Sequence, residues 1–187
     1  MKKAGFILKD RDILIIPRDE EKLWDAPWDI IRNDDEKEKI GIVSFEGEKE
    51  MGAVPITIEI FENYYRNRGF ATLALRMMTE WAFSFKNVFE IKAVTKHENS
   101  AAIAALQKAG FVYRTHEHET EYYSIIKQKT SWTGLYLIIG IVAGLIVGFV
   151  FSNQWLSLAV AIIVGLVVGS SLDAKENAYR KSITGKK

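Results

Sequence analysis

The chain has 187 residues, of which 48% are hydrophobic, 12% aromatic and 26% charged, with a net charge of +1 and no cysteine. The aromatic content excludes a disordered chain, and the near-neutral charge excludes a broad basic surface for nucleic acid. Without cysteine there are no disulfides, thiolate zinc sites or cysteine nucleophile, and the chain fits a reducing compartment.

The averages hide a partition. The 43 residues 130–172 carry no charge, whereas residues 1–131 hold 20 Lys/Arg against 22 Asp/Glu and residues 173–187 hold five against two. This predicts a slightly acidic soluble domain over 1–129, a membrane segment over 130–172 and a basic tail over 173–187. Met1, Lys2 and Lys3 lead into only a few apolar residues before Lys9 and Asp10, so no signal peptide is expected.

In chain order, residues 12–16 (DILII) form a short β-rich run stopped by Pro17. Residues 18–39 are charged, contain Trp24, Trp28 and Pro27, and are expected to hold at most a short helix. Residues 40–45 read as a strand, and Glu46, Gly47 and Glu48 as a turn. Residues 56–61 (ITIEIF) alternate as a strand, with Thr57 and Glu59 on one face. Phe70, Leu73, Ala74, Met77, Met78, Trp81 and Phe85 then recur at three- and four-residue steps, predicting an amphipathic helix over 71–85. A strand over 88–95, a helix over 99–109 closed by Gly110, a strand over 111–115 and a last strand over 122–127 complete an α/β domain with a mixed sheet.

The uncharged stretch reads as two spans, 132–151 and 155–172, reaching about 30 and 27 Å, with a turn at Ser152, Asn153 and Gln154. Trp132, Tyr136, Phe149, Phe151 and Trp155 sit where interfacial aromatics belong. Lys127 and Lys129 precede the first span and Lys175, Arg180 and Lys181 follow the second, while the turn has no cation. The soluble domain and the C-terminus are therefore expected on the cytoplasmic side of the inner membrane. Gly140, Gly144 and Gly148 in one span and Ala161, Gly165 and Gly169 in the other form small-residue stripes. These pack within one hairpin or, as an open alternative, mediate a homo-oligomer. No ionisable residue lies inside either span, which argues against a transport path.

The junction between strand 56–61 and the following helix reads Arg66-Asn67-Arg68-Gly69-Phe70-Ala71-Thr72. A glycine there lets backbone approach a ligand, a helix N-terminus presents free N–H groups, and two arginines add charged donors, which together suit a diphosphate. The second motif runs from Asn99-Ser100-Ala101-Ala102 to Lys108-Ala109-Gly110-Phe111. Asn99 is placed as an N-cap and Gly110 as a helix stop. The His116-Glu117-His118 run has no evident third ligand and is not read as a metal site.

The two motifs, separated by one helix and one strand, resemble the Gcn5-related N-acetyltransferase (GNAT) superfamily over about residues 40–127. They are similar to the branch that includes the ribosomal-protein N-terminal acetyltransferases. The resemblance implies a GNAT-like mixed, mostly antiparallel sheet flanked by helices, followed here by the two-helix transmembrane hairpin. It implies acetyl-CoA as co-substrate, an amine acceptor that is a small molecule or a protein, and no metal. It also implies that strands 56–61 and 90–95 run parallel and splay apart. Ile58 and Ile60 would run along the pantetheine arm, Arg66, Arg68, Gly69, Phe70, Ala71 and Thr72 would hold the pyrophosphate, and Asn99 would lie near the pantetheine. Glu59 matches a base or water-holding carboxylate.

The chain departs from the family pattern in two places. Leu106 stands where many members have a tyrosine acid, and Ala102 where the branch has a serine, leaving water or Ser100 to protonate the thiolate. Residues 18–39 are shorter than the two helices that usually build the acceptor pocket, and Trp24 and Trp28 either line a shallow site, pack on the sheet or touch the membrane surface. The expected function is a membrane-tethered N-acetyltransferase with membrane lipid around its hairpin. A non-catalytic acyl-CoA-binding regulatory or sensor module is the alternative, and a structural partner for another membrane protein a third.

Overall fold

A computed structural model describes residues 6–45, 52–129, 131–150 and 154–184. The turns expected at 46–48 and 152–153 lie outside the described residues, as does the end of the first expected span. The chain divides into two compact units, Met1–Lys127 and Gln128–Lys187.

Among its described residues, the first unit is one eight-stranded sheet carrying two α-helices. Its strands are β1 (Leu8–Lys9), β2 (Ile13–Pro17), β3 (Trp28–Arg32), β4 (Lys39–Ser44), β5 (Ala53–Ile60), β6 (Glu90–Lys96), β7 (Val112–Glu117) and β8 (Thr120–Ile126). The spatial order is β1-β2-β3-β4-β5-β6-β8-β7. Every pairing is antiparallel except β5 with β6, which is parallel and connected through helix α1 (Phe70–Phe83). Helix α2 (Ser100–Ala109) links β6 to β7.

Strand β3 corrects the reading of residues 18–39 as a charged segment with at most a short helix. Trp28 and Ile30 are fully buried while Asp29 alternates to the other face, a period-two pattern masked in the sequence by the charges around it. Strands β1 and β2 form a hairpin whose first arm is only two residues long, too short to show a pattern.

The register fixes the faces. Directly opposed residues share a face of a sheet, so Ile15, Ile30, Val43, Ile58, Ile56 and Ala93 all point toward one side. Both helices pack on that side, through Ala74, Leu75 and Met78 of α1 and Leu106 and Ala109 of α2. Trp24, Trp28, Phe45 and Phe85 surround the α1 residue Trp81 with ring centroids 4.6–5.6 Å apart. Trp28 is thus a core residue and Trp24 packs against the core, as the sheet-packing reading of the two tryptophans expects. The helix ends are tied down by distant groups. Lys127 donates to the Phe83 and Phe85 carbonyls at the end of α1, and Arg76 of α1 donates to the Lys108 carbonyl at the end of α2.

The β6–α2 loop is fastened to β8. The His97 amide donates to the Glu119 carbonyl at 2.8 Å, and its Nδ1 lies 2.6 Å from Glu121 Oε1. Glu121 is 9% exposed, and its other oxygen accepts from the Tyr123 hydroxyl at 2.7 Å. Burial and the adjoining carboxylate push the Tyr123 phenol up to about 12, so it stays a donor. The hydrogen bonds from Tyr123 and His97 hold the Glu121 carboxyl below the usual range.

The second unit pairs helices α3 (Trp132–Val150) and α4 (Gln154–Thr184). The second helix starts one residue before the expected span and continues past Leu172 into the basic tail, where Glu176 and Arg180 pair at helical spacing. The glycine stripes are consumed within the pair. A Cβ built at Gly140 would stand 2.5 Å from the Ala161 carbonyl oxygen, and one at Gly165 2.5 Å from that of Tyr136. Asp173 of α4 accepts from the Trp132 and Thr133 amides at 3.1 Å each, capping the start of α3 with an acid from the neighbouring helix.

Two measurements test this packing. Trp28→Ala removes a fully buried ring and is expected to lower stability by about 3–5 kcal/mol in denaturant unfolding followed by near-UV dichroism. Glu121→Gln is expected to destabilise the sheet at neutral pH. Because the native carboxyl titrates below its unfolded value, the stability it confers is present above about pH 4.5 and lost as pH falls through the native value. The gap between wild type and variant should therefore close in acid, and a gap that is constant with pH would remove the ionic role.

Candidate functional site

The site begins where β5 and β6 part. Their parallel pairing runs from Ala53 with Glu90 to Ile56 with Ala93 and stops there, although β5 continues to Ile60 and β6 to Lys96. Beyond Ile56, β5 follows β4, pairing Thr57 with Ser44 through to Ile60 with Gly41, while β6 stays with β8. Gly41 permits the close approach of β4 and β5, since a Cβ there would collide with the Glu59 carbonyl oxygen.

The divergence leaves backbone groups pointing into a gap. The Phe61 amide donates to the Ile40 carbonyl, so by strand alternation Glu59 and Phe61 turn their main-chain groups toward β4. Ile58 and Ile60 turn theirs the other way, into the space that β6 has vacated. One of those groups, the Ile60 carbonyl, is met by the Arg66 guanidinium at 3.2 and 3.3 Å. The edge can therefore take an extended ligand bearing amides as a strand would take its neighbour.

A cleft of about 420 Å³ occupies this gap and extends between the helices. Glu59, Ile58, Ile60, Arg66, Gly69, Phe70, Ala71, Thr72 and Asn99 all line it, together with Tyr65, Thr95 and the small residues Ala101, Ala102 and Ala105 of α2. Alanines at these positions keep the α2 side low.

The turn at the head of α1 is built for an anion. Asn67 and Gly69 both have positive φ, +61° and +88°, and Gly69 is the N-cap with no side-chain acceptor. The first intrahelical bond runs from the Leu73 amide to the Gly69 carbonyl, so the Phe70, Ala71 and Thr72 amides have no partner within the helix. A Cβ at Gly69 would meet nothing within 4 Å, so the space above the turn is open. Oxygen atoms of a phosphate fit there without displacing protein atoms.

Two residues singled out by sequence lie outside the lining. Arg68 turns back and stacks over the exposed Tyr64 ring, 3.8 Å from its centroid. Ser100 is the exposed first residue of α2 and does not line the cleft; its amide donates to the Glu98 carbonyl. Asn99 accepts from the Ala102 amide at 3.1 Å, the capping bond its sequence position predicts, while remaining in the lining.

Tyr65 is a lining residue that sequence reasoning missed. It is 7% exposed, donates its hydroxyl to Glu38 and lies under the Arg32 guanidinium, with 5.6 Å from the carbon to the ring centroid. Glu38 and Arg32 flank a turn some 30 residues upstream, a pairing that local spacing does not show. The His116–His118 run disperses, since His116 bonds the Tyr113 hydroxyl at 2.8 Å and His118 sits in a turn at φ +54°. Among the described residues, no cluster of three His, Asp or Glu side chains could hold a metal ion.

Comparison with known proteins places this architecture. Residues 8–112, more than half of the chain, match the family model of the acetyltransferase (GNAT) domain. A GNAT-family acetyltransferase from Bacillus anthracis superposes with a TM-score of 0.54 at 16% identity, over 65% of this chain and 98% of that one. An acetyltransferase from Agrobacterium tumefaciens does so with a TM-score of 0.54 at 12% identity, over 68% and 98%. The ribosomal-protein-S5-alanine acetyltransferase from Vibrio fischeri is similar at 17% identity and a TM-score of 0.49, over 58% and 65%. No curated protein matches in sequence. At these identities the structural likeness shows the fold, and the family match carries the activity. This chain belongs to the GNAT acetyltransferase family and is an acetyl-CoA-dependent N-acetyltransferase.

Proposed function

We propose that the chain is anchored in a membrane by α3 and α4 and acetylates an amine on the cytoplasmic side, with the β5–β6 split as the seat of acetyl-CoA. The observation that carries the cofactor reading is the pair of strand residues, Ile58 and Ile60, whose backbone groups face an open gap beside an uncapped helix. Bound acetyl-CoA supplies a thioester whose carbonyl carbon an amine can attack. Ile58 and Ile60 hold the pantetheine amides through their main chain, and Asn99 borders the same arm. Arg66, Gly69, Phe70, Ala71 and Thr72 receive the diphosphate, and Arg68 reaches it by leaving its stack on Tyr64. Glu59, an exposed carboxylate in the lining, takes the proton of the incoming ammonium directly or through water. Leu106 is apolar and Ser100 lies outside the cleft, so water protonates the departing thiolate.

The membrane reading rests on the outward faces of the second unit. Each helix carries an apolar stretch long enough to cross a bilayer, Trp132–Val150 in α3 and residues 154–172 in α4. Their glycines face each other, while Ile138, Val142, Ile146, Phe149, Ile163 and Val167 point outward and exposed. An apolar exterior is costly in water and suited to lipid. Asp173, Glu176, Arg180 and Lys181 then mark the aqueous end of α4.

The enzymatic reading is tested by thiol release from acetyl-CoA by the detergent-solubilised chain with a panel of amines. Release should depend on amine, and Glu59→Gln should cut turnover at least tenfold while leaving acetyl-CoA affinity in place. Charged hydrogen bonds contribute roughly 1.5–3 kcal/mol each, so replacing Arg66 and Arg68 by alanine should weaken acetyl-CoA binding at least about tenfold in calorimetry. Binding without turnover toward any amine would make the chain an acyl-CoA-binding module. For the membrane reading, Ser152→Cys and Lys181→Cys can each be introduced into a chain that has no cysteine of its own. An impermeant thiol reagent on intact cells should label only the first, and labelling of the second would invert the topology.

A further inference from the structure

Arg66 stands on the strand edge that an extended ligand would use. Its Nε and Nη2 both donate to the Ile60 carbonyl oxygen, at 3.3 and 3.2 Å. A carbonyl oxygen has two lone pairs, and the two guanidinium donors use both. Ile60 is buried, and the pairing of β5 with β6 has already ended at Ile56, so Arg66 satisfies an acceptor that the neighbouring strand leaves open.

The backbone aims that guanidinium back along β5. Tyr65 is buried and donates to Glu38, and the Arg66 amide donates to the Asn63 carbonyl at 3.2 Å, so the chain at residue 66 is pinned. Asn67 at φ +61° and Gly69 at φ +88° then carry the main chain into α1, while the Arg66 side chain stays on the strand. Arg68, the other cation of the motif, stacks on Tyr64. The two attachments differ in what they cover. Tyr64 is exposed and outside the cleft lining, so moving Arg68 uncovers nothing in the cleft, whereas moving Arg66 uncovers the Ile60 oxygen.

A pantetheine amide and Arg66 therefore compete for one oxygen. Ile60, Arg66, Gly69, Phe70, Ala71 and Thr72 line the same cleft, so a diphosphate on the α1 amides lies in the space that Arg66 shares. A guanidinium bonds an anionic phosphate more strongly than a neutral carbonyl. A diphosphate thus draws Arg66 off the strand and releases the Ile60 oxygen in one exchange. A thioester without diphosphate gives Arg66 no anion to move to and must displace the donor pair unaided. Resting on the acetyl-CoA reading above, we infer that Arg66 is a specificity-determining residue that bars the β5 edge to thioesters of bare pantetheine and yields it to those that carry the diphosphate.

The test is calorimetry on the full chain in detergent, titrated with acetyl-CoA and with S-acetylpantetheine. Arg66→Ala should weaken acetyl-CoA and strengthen S-acetylpantetheine, each by about threefold or more, shifts of opposite sign. A residue that only binds phosphate would lower the first affinity and leave the second unmoved. Arg66→Met keeps bulk but donates nothing, and should show the same gain for S-acetylpantetheine, which separates release of the oxygen from newly opened space. On the unaltered chain, where folding is not at issue, inorganic pyrophosphate should tighten S-acetylpantetheine by about threefold by drawing Arg66 away. An S-acetylpantetheine affinity that does not rise in the variants, a gain in Arg66→Ala that Arg66→Met lacks, or no tightening by pyrophosphate would overturn the specificity role and leave acetyl-CoA binding standing. Failure of the unaltered chain to bind acetyl-CoA would bring down both.

Discussion

Everything functional in the first unit depends on β5 changing partners. Over Ala53–Ile56 it is paired with β6, and over Thr57–Ile60 it is paired with β4 instead. A buried strand that gives up one ladder exposes N–H and C=O groups at a cost that a folded protein tolerates only when something else satisfies them. Here Arg66 meets one carbonyl and the remaining groups face the cleft. Gly41 makes the departure feasible, because any side chain there would strike the β5 backbone and force the two strands apart. The α1 turn follows within nine residues of the last β5 position, so the same short segment supplies both the strand edge and the anion seat.

Much of this was legible in the sequence because the informative residues act locally. Gly69 and Gly110 both adopt left-handed φ at helix boundaries, as their place in each motif requires, and Asn99 caps α2 through its own side chain. The helix stripes were readable because their apolar residues recur at one period. What escaped was set by long-range contacts. The charges of residues 18–39 disguised β3, whose alternation matters only because β2 and β4 flank it. Tyr65 entered the cleft through Glu38 and Arg32, and Arg68 left it for Tyr64. Neither outcome has a signature at short spacing. The length of α4 was also underread, since loss of hydropathy at Asp173 ends the apolar stretch but does not end the helix.

The two units solve opposite packing problems with the same residue type. In the sheet, glycine is used singly, where backbones must cross closely or turn left-handed. In the helical pair it is used as a stripe, so that α3 and α4 approach at backbone distance, with Ala161 and Gly165 opposite Gly140. Asp173 adds a polar lock at one end, taking two amides and the Thr133 hydroxyl. The stripes therefore have a complete explanation within one chain, and the outward faces are left apolar.

The central claim is that the free edge of β5 receives the pantetheine arm of acetyl-CoA. Residue-resolved amide hydrogen exchange on the detergent-solubilised chain, with and without acetyl-CoA, addresses it directly. The Ile58 and Ile60 amides face the gap and should gain protection on binding, with the Phe70–Thr72 amides slowing alongside them, while Glu59, already turned toward β4, changes little. Protection confined to other strands, or binding that leaves Ile58 and Ile60 exchanging as before, would contradict the account.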